Sequence, residues 1–307
     1  MNNYRIYRKS TYTEGGNSSL SQNSLLAIGI LDFGTVDVLE TEITWYRQNM
    51  NYDLHVITRM DYGNISRLQE KYPDVTFIGF SSITFSGEMI NAFAAECKTN
   101  YFLIVRTDGD LVRFDGAKLF SMMEKKEHPA MICGALANSR REIVPCVRAP
   151  GLKKEHIFTD SSFPNMKDDT KVDTLYPVME LGLYDRALFQ RLRGFDEQIH
   201  SEYWQALDWG VRCWLFGYPI YLTQALLFQF PDQLSIIEDL SETEGFERCV
   251  TKALCIRQVN GKNAIHRISA NLDKDVLKGE VRTRMLWLVK QDYPHLLSTW
   301  IGSESGS

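Results

Sequence analysis

Residues 101–112 read YFLIVRTDGDLV: five apolar residues, then Arg106 and Thr107, then two aspartates, Asp108 and Asp110, separated by one glycine. A short apolar run bounded by a turn signal predicts a strand buried on both faces. This strand would deliver two carboxylates to an open edge of a sheet. Such an edge suits a hard divalent cation, because Mg²⁺ or Mn²⁺ takes oxygen ligands and binds through one or two carboxylates plus the phosphates of a substrate. The competing reading is a plain acidic turn, Asp-Gly being a common turn dipeptide. The flanking sequence bears on the choice.

Upstream, apolar runs of strand length alternate with helical periodicity. Residues 26–31 (LAIGIL), 53–58 (DLHVIT) and 75–79 (VTFIG) read as strands, and residues 37–48, 66–72 and 87–97 as helices. Helix 37–48 spaces Leu39, Ile43 and Tyr46 on one face, and helix 87–97 does the same with Ile90, Phe93, Ala94 and Cys97. Strands alternating with helices predict an α/β, Rossmann-like fold, a mostly parallel sheet flanked by helices. Ligands of such sheets bind beyond the carboxyl ends of the strands. Asp32, Asp61, Asp108 and Asp110 all lie at such ends.

The chain has 307 residues, of which 44% are hydrophobic and 24% charged, enough to bury a full core. A net charge of −5 argues against nucleic acid as a partner, which would call for a basic surface. The six cysteines form no C-x-x-C pair and mostly sit in apolar contexts, so they read as reduced, buried thiols of a cytoplasmic protein. Residues 1–24 lack the apolar core of a signal peptide and predict a flexible arm. Residues 211–230 are broken by Arg212, a Gly-Tyr-Pro turn and two glutamines, which predicts a buried helix, a turn and strands in place of a membrane span.

Residues 181–221 read LGLYDRALFQRLRGFDEQIHSEYWQALDWGVRCWLFGYPIY. The order of R-G-F-D-E (193–197), D-W-G-V-R (208–212) and G-Y (217–218) closely resembles family 2, A-type (GT-A) glycosyltransferases. With the alternating first half and the D-G-D, the resemblance covers roughly residues 25–230. It implies a nucleotide-diphosphate-sugar donor, UDP-sugar foremost, a divalent metal (Mn²⁺ or Mg²⁺), and transfer with inversion to a glycan, lipid-linked or protein acceptor. By the same resemblance Asp108 lies near the ribose or metal, Asp110 is the metal ligand on the diphosphate, and Asp32 with Phe33 in LDFGT faces the base or ribose. Asp61 in MDYGN is a looser match and reads equally as a solvated turn residue. Arg106 could touch phosphate or stand as an exposed strand-end arginine.

The catalytic base departs from the family pattern, since Gln205 and Ala206 stand where an E-D pair is expected. An inverting transfer needs a carboxylate to take the acceptor proton. Asp208 is the candidate, with Glu202 as substitute if the loop shifts register. Asp208 could equally cap a helix over residues 209–216. His200, His266 as a third metal ligand, and Trp204, Trp209 and Trp214 as sugar-stacking faces or core anchors complete the list.

Residues 148–176 predict a long polar loop over the site. The texture turns helical from about residue 235. Residues 282–300 mix Arg282, Arg284 and Lys290 with apolar residues, which suits packing on the catalytic domain, a homodimer contact, or peripheral binding to the inner face of a membrane. The expected organisation is an arm (1–24), a catalytic domain (25–235, with a nucleotide-binding half to 112 and an acceptor half from 113) and a helical extension (236–307) ending in a flexible GSESGS tail. Two rivals remain: a nucleotidyltransferase, disfavoured because LDFGTVD lacks a glycine-rich basic loop, and a non-catalytic relative that binds sugar or a partner.

Overall fold

A computed structural model describes residues 3–9, 25–59, 61–82, 84–164 and 171–304. The alternation read from the sequence is present in the order β1 (Tyr4–Tyr7), β2 (Leu26–Leu31), α1 (Val36–Asn49), β3 (Asp53–Thr58), α2 (Tyr62–Lys71), β4 (Thr76–Phe80), α3 (Ser86–Glu96) and β5 (Tyr101–Arg106). Then come β6 (Asp110–Phe114), α4 (Gly116–Met123), β7 (Met131–Ala137), β8 (Val147–Lys153), β9 (His156–Ser162), β10 (Val172–Asp173), β11 (Gly182–Asp185), α5 (Arg186–Arg191), α6 (Glu202–Leu215) and β12 (Ile220–Gln229). Every residue of β2, β4 and β7 is buried, as expected of strands covered on both faces.

The ten-stranded sheet is ordered β1-β4-β3-β2-β5-β11-β7-β12-β10, with β6 pairing on β12. Six of its strands, β2, β3, β4, β5, β7 and β12, run in one direction, which confirms the mostly parallel, helix-flanked α/β architecture. Strand β11 runs against both its neighbours in the middle of the sheet, with Gly182 opposite Ile104 on β5 and Cys133 on β7. That inversion carries the residues just before β11 to the carboxyl end of β5. Helix α3 packs closely because β2 carries a glycine: a side chain at Gly29 would lie 2.5 Å from the Phe93 ring.

The remaining elements correct several expectations. Residues 4–7 of the supposed arm form β1, antiparallel to β4 from Tyr4–Phe80 to Tyr7–Phe77. Aromatic and β-branched residues alternating with arginine suit a half-covered edge strand; residues 10–24 lie outside the described residues. The expected loop over 148–176 contains the β8–β9 hairpin, whose second strand is polar because it is largely exposed; residues 165–170 lie outside the described residues.

Within residues 235–265 the expected helical texture is realised in α7 (Phe246–Leu254). Residues 256–265 fold into the hairpin β13 (Ile256–Val259) and β14 (Lys262–Ile265). The sequence Asn260-Gly261 supplies the two positive φ values, 52° and 73°, that a tight hairpin turn requires. A helical run follows over Lys274–Val276, Leu277–Met285 and Leu286–Leu288, then a last helix, Tyr293–Glu304, whose span takes in part of the expected tail.

Buried residues from Leu26 to Trp300 form one continuous core. All six cysteines are free and buried. Among the described residues no helix is long and apolar enough to cross a membrane.

Candidate functional site

The carboxyl ends of β2, β3 and β5 meet at one rim of the sheet. Asp32 is buried there, its Oδ2 accepting from the Thr58 hydroxyl at 2.6 Å and its Oδ1 from the Gly34 amide at 3.1 Å. Burial raises its pKa, while those two donors and Arg59 pull it back. With each oxygen already holding a protein donor, Asp32 shapes the turn that presents Phe33. The Phe33 amide donates to the Thr107 hydroxyl at 2.8 Å, which ties the turn after β2 to the turn after β5. The Phe33 ring lies 4.0 Å from the Arg106 guanidinium and 5.5 Å from that of Arg59. Asp61, by contrast, caps α2 through the amides of Gly63 and Asn64, which accounts for it as a turn residue.

Arg106 corrects the expectation of an exposed strand-end arginine: only 6% of it is accessible. Its Nε and Nη2 donate to the two carboxylate oxygens of Asp108 at 2.8 and 2.9 Å, a bidentate pair of the strong, charge-assisted kind. Its Nη1 donates to Glu202 Oε2 at 3.4 Å. One guanidinium thus joins the turn after β5 to the first turn of α6.

Asp110 begins β6, opposite Gln229 at the end of β12, and is exposed. Among the described residues no arginine or lysine pairs with it. Burial first, and the Asp232 charge second, raise its pKa. Burial and the Asp110 charge together push Glu42, on α1, up to about 7. Burial is the larger cause in both, and the smaller repulsion between the carboxylates is the part a cation would relieve. Among the described residues no three His, Cys, Asp or Glu side chains form a metal-holding cluster. A hard cation that binds through one or two carboxylates and the phosphates of a nucleotide needs no such cage. Asp110 fits that donor set; Asp108 fits it as a second carboxylate because, unlike buried Asp32, its side chain is 30% exposed and each oxygen keeps a lone pair beside its Arg106 bond. Past Asp232, a groove of about 600 Å³ opens between the end of β7 and the β8–β9 hairpin, lined by Asn138, Val144, Arg148, Phe163, Leu234 and Ile236 among others.

Asp208 is the main correction. It neither caps α6, whose N-cap is Ser201, nor reaches the rim. Its side chain is 0% exposed, 2.7 Å from Arg212 and 2.9 Å from Lys252. Lys252 in turn lies 2.5 Å from Asp196, which also accepts from Arg248 at 2.8 Å. Arg212 further donates to the carbonyls of Leu192 and Gly194. Gly194 sits at φ 57°, in the left-handed region that suits glycine. The G-F-D-E and D-x-x-x-R pieces therefore build a buried ion network that fixes α5, α6 and α7 to one another. A carboxylate so enclosed has no path to an acceptor hydroxyl. Gln205, at the vacant E-D position, accepts from the Gly87 amide at 3.1 Å and is buried.

The other candidates have structural places. His200 stacks on Phe85 and contacts Glu244 at 3.1 Å. His266 is exposed and acts electrostatically on Glu155, outside any metal cluster. Trp204 and Trp209 are core anchors, Trp209 among Tyr184, Phe189 and Phe195, while Trp214 packs on Trp300.

Glu180 was not foreseen. It lies two residues before Gly182, so the β11 register sets it beside the Arg106 end of β5. It is 0% exposed, and neither of its carboxylate oxygens makes a well-formed hydrogen bond. Met179 and Glu180 hold φ values of 55° and 59°, a conformation costing non-glycine residues about 1 kcal/mol each. Burial pushes its pKa up to about 8, with the Glu202 charge adding and the Ser86 hydroxyl and Arg106 opposing. The letters VME give no periodic or motif signal; only the antiparallel insertion of β11 creates the site.

No family model matches the sequence, and no curated protein matches it. Among 117 matching chains of solved structures is a crystal structure of GalNAc-T7 with UDP, GalNAc and Mn²⁺. It superposes with a TM-score of 0.56 at 10% identity, covering 75% of this chain and 49% of that one. This chain thus spans about half the length of that protein. A likeness at so low an identity carries the fold, and the fold it carries is the GT-A architecture.

Proposed function

We propose that this protein is a glycosyltransferase that moves a sugar from a nucleotide-diphosphate donor to an acceptor hydroxyl, with inversion and with a divalent metal. The observation that carries this reading is the Arg106 bridge: at the carboxyl rim, one buried guanidinium holds Asp108 through Nε and Nη2 and Glu202 through Nη1. Inversion requires leaving group and attacking hydroxyl on opposite faces of the sugar. Arg106 keeps Asp108, the donor-side carboxylate, one side chain away from Glu202, the carboxylate assigned to the acceptor proton. The presence of UDP and Mn²⁺ in a protein of the same fold agrees with this donor class.

Phe33, half-buried at the rim, is the ring assigned to the base or ribose, and exposed Arg59, 5.5 Å from that ring, is the cation left to meet phosphate charge. Asp110, with Asp108, would hold the metal, whose chemistry is neutralisation of the departing diphosphate. Glu202 replaces Asp208 as the base: its side chain is 39% exposed in the first turn of α6, where the helix end favours the anion. The acceptor would enter by the groove beyond Asp232. Stabilising charge on both sides of a stretched transition state is the differential binding that accelerates transfer.

A panel of UDP-, GDP- and dTDP-sugars with Mn²⁺ or Mg²⁺, followed by release of free nucleoside diphosphate, tests this. One donor should turn over, and Glu202→Gln should keep calorimetric binding of UDP with Mn²⁺ while losing release. Absence of both release and UDP binding would reject the reading. Gln205 and Ala206 at the E-D position favour a second reading, a protein that binds nucleotide sugar without transferring it; UDP binding with no release from any donor would establish that instead.

A further inference from the structure

The helical run from Lys274 to Leu288 buries one face, through Val276, Leu277, Val281 and Met285, against the core. Its other face exposes Lys274, Lys278 and Arg282 at four-residue intervals and ends in Trp287, 79% exposed, and Leu288, 40% exposed. The β13–β14 hairpin is fastened alongside. Asn263 Nδ2 donates to the carbonyls of Leu286 and Val289 at 3.0 and 2.7 Å, and Gln258 Nε2 to that of Lys290 at 2.9 Å. The hairpin tip thereby adds Val259, 55% exposed, and exposed Lys262, while the Lys290 ammonium lies 5.3 Å from the Tyr218 ring.

The acidic residues of this region are mostly directed elsewhere. Glu280 is near Arg193 and Lys252, at 4.0 and 3.7 Å, and buried Asp292 accepts from the Gln258 and His295 amides. Asp275 is the exposed exception. Four exposed cations and three exposed apolar side chains thus lie on this helical run and the hairpin fastened to it, in a chain whose net charge is −5.

We infer that this surface docks the protein onto a bilayer rich in anionic headgroups, with Trp287 and Leu288 entering the headgroup boundary and the lysines and arginine facing the phosphates. A protruding tryptophan beside long cationic side chains matches that boundary, where an indole has an apolar and a wet side and cationic stems can extend to the headgroups. The charge contrast with the rest of the molecule orients the approach, since each basic residue near such a surface adds attraction that salt screens.

The test is co-sedimentation with vesicles of phosphatidylcholine alone and with about one third phosphatidylglycerol. The protein should pellet only with the anionic vesicles, its tryptophan emission moving to shorter wavelength. Lys278→Glu with Arg282→Glu should weaken binding about twentyfold or more, at about fivefold for each basic residue lost. Trp287→Ala with Leu288→Ala should weaken it by about tenfold and remove the emission change. These side chains are exposed, so unchanged circular dichroism and melting would certify the variants. Failure to pellet with anionic vesicles, equal pelleting of protein and variants, or pelleting without vesicles, the mark of self-association, would each overturn the inference. So would retention on heparin without vesicle binding, which would assign the patch to a soluble polyanion.

Discussion

Arg106 and the acidic residues around it divide the rim chemistry among side chains with different freedoms. Asp110 is the open one, and Asp110→Asn should lower nucleoside diphosphate release by about 10²–10³-fold, as loss of a charge-stabilising group does, and make UDP binding insensitive to Mn²⁺ while the melting temperature holds. A calorimetric titration with and without Mn²⁺ checks it. Glu180 gives a pH signature. Its unfolded carboxyl ionises near 4.3, whereas in the folded protein it stays neutral up to about 8. Between those values the folded state binds more protons, so stability declines as pH rises through that window and the loss is complete above about 8. Glu180→Gln should match the parent in urea midpoint near pH 4 and exceed it near pH 8; equal midpoints at both would mean Glu180 is ionised when folded. The aspartates were legible in the sequence because each ends an apolar run. Glu180 was not, because its burial comes from β11 entering the sheet against its neighbours, and Arg106 was misjudged because the Phe33 ring that covers it belongs to a turn 73 residues away.

At the scale of elements, the segment that suggested the family is mainly a clamp. Asp196, Asp208, Arg212, Arg248 and Lys252 form ion pairs with one another inside the packing of α5, α6 and α7. Removing one member leaves a buried charge without its partner, so Asp208→Asn should cost about 3–5 kcal/mol, seen as a lower urea midpoint with unchanged slope. Its activity, measured on whatever fraction remains folded, should approach that of the parent, in contrast to Glu202→Gln. The positions of α1, α3 and the first strands were readable from periodicity within a residue or two. The start of α6 was not, because Asp208 looks like a cap only if the helix begins after it, while Ser201 six residues upstream of Leu207 already caps Trp204 through its hydroxyl at 3.3 Å. Likewise the Asn260-Gly261 turn directly follows an amphipathic stretch that runs past α7 to Val259, so helical periodicity masks the first strand of the hairpin.

For the whole molecule, the boundary near residue 235 expected from composition does not coincide with a break in the core. Lys252, on the far side of that boundary, is the counterion of both Asp196 and Asp208. Trp204 packs on Phe246 and donates its indole hydrogen to the Ser241 carbonyl at 2.8 Å. Trp214 packs on Trp300, and the Tyr293 hydroxyl donates to the Gly151 carbonyl at 3.3 Å. A chain cut after residue 235 would therefore expose the apolar face of α6 and leave two buried aspartates with fewer cations, each such loss costing several kcal/mol against a total stability of about 5–15 kcal/mol. The truncated protein should fail to melt cooperatively and should elute from size exclusion as aggregate, whereas the full chain should show one transition in calorimetry. If residues 1–235 instead melted as sharply as the full chain, or if the full chain showed two separated transitions, the two parts would be independent domains and the ion network around Asp208 would be dispensable to the fold.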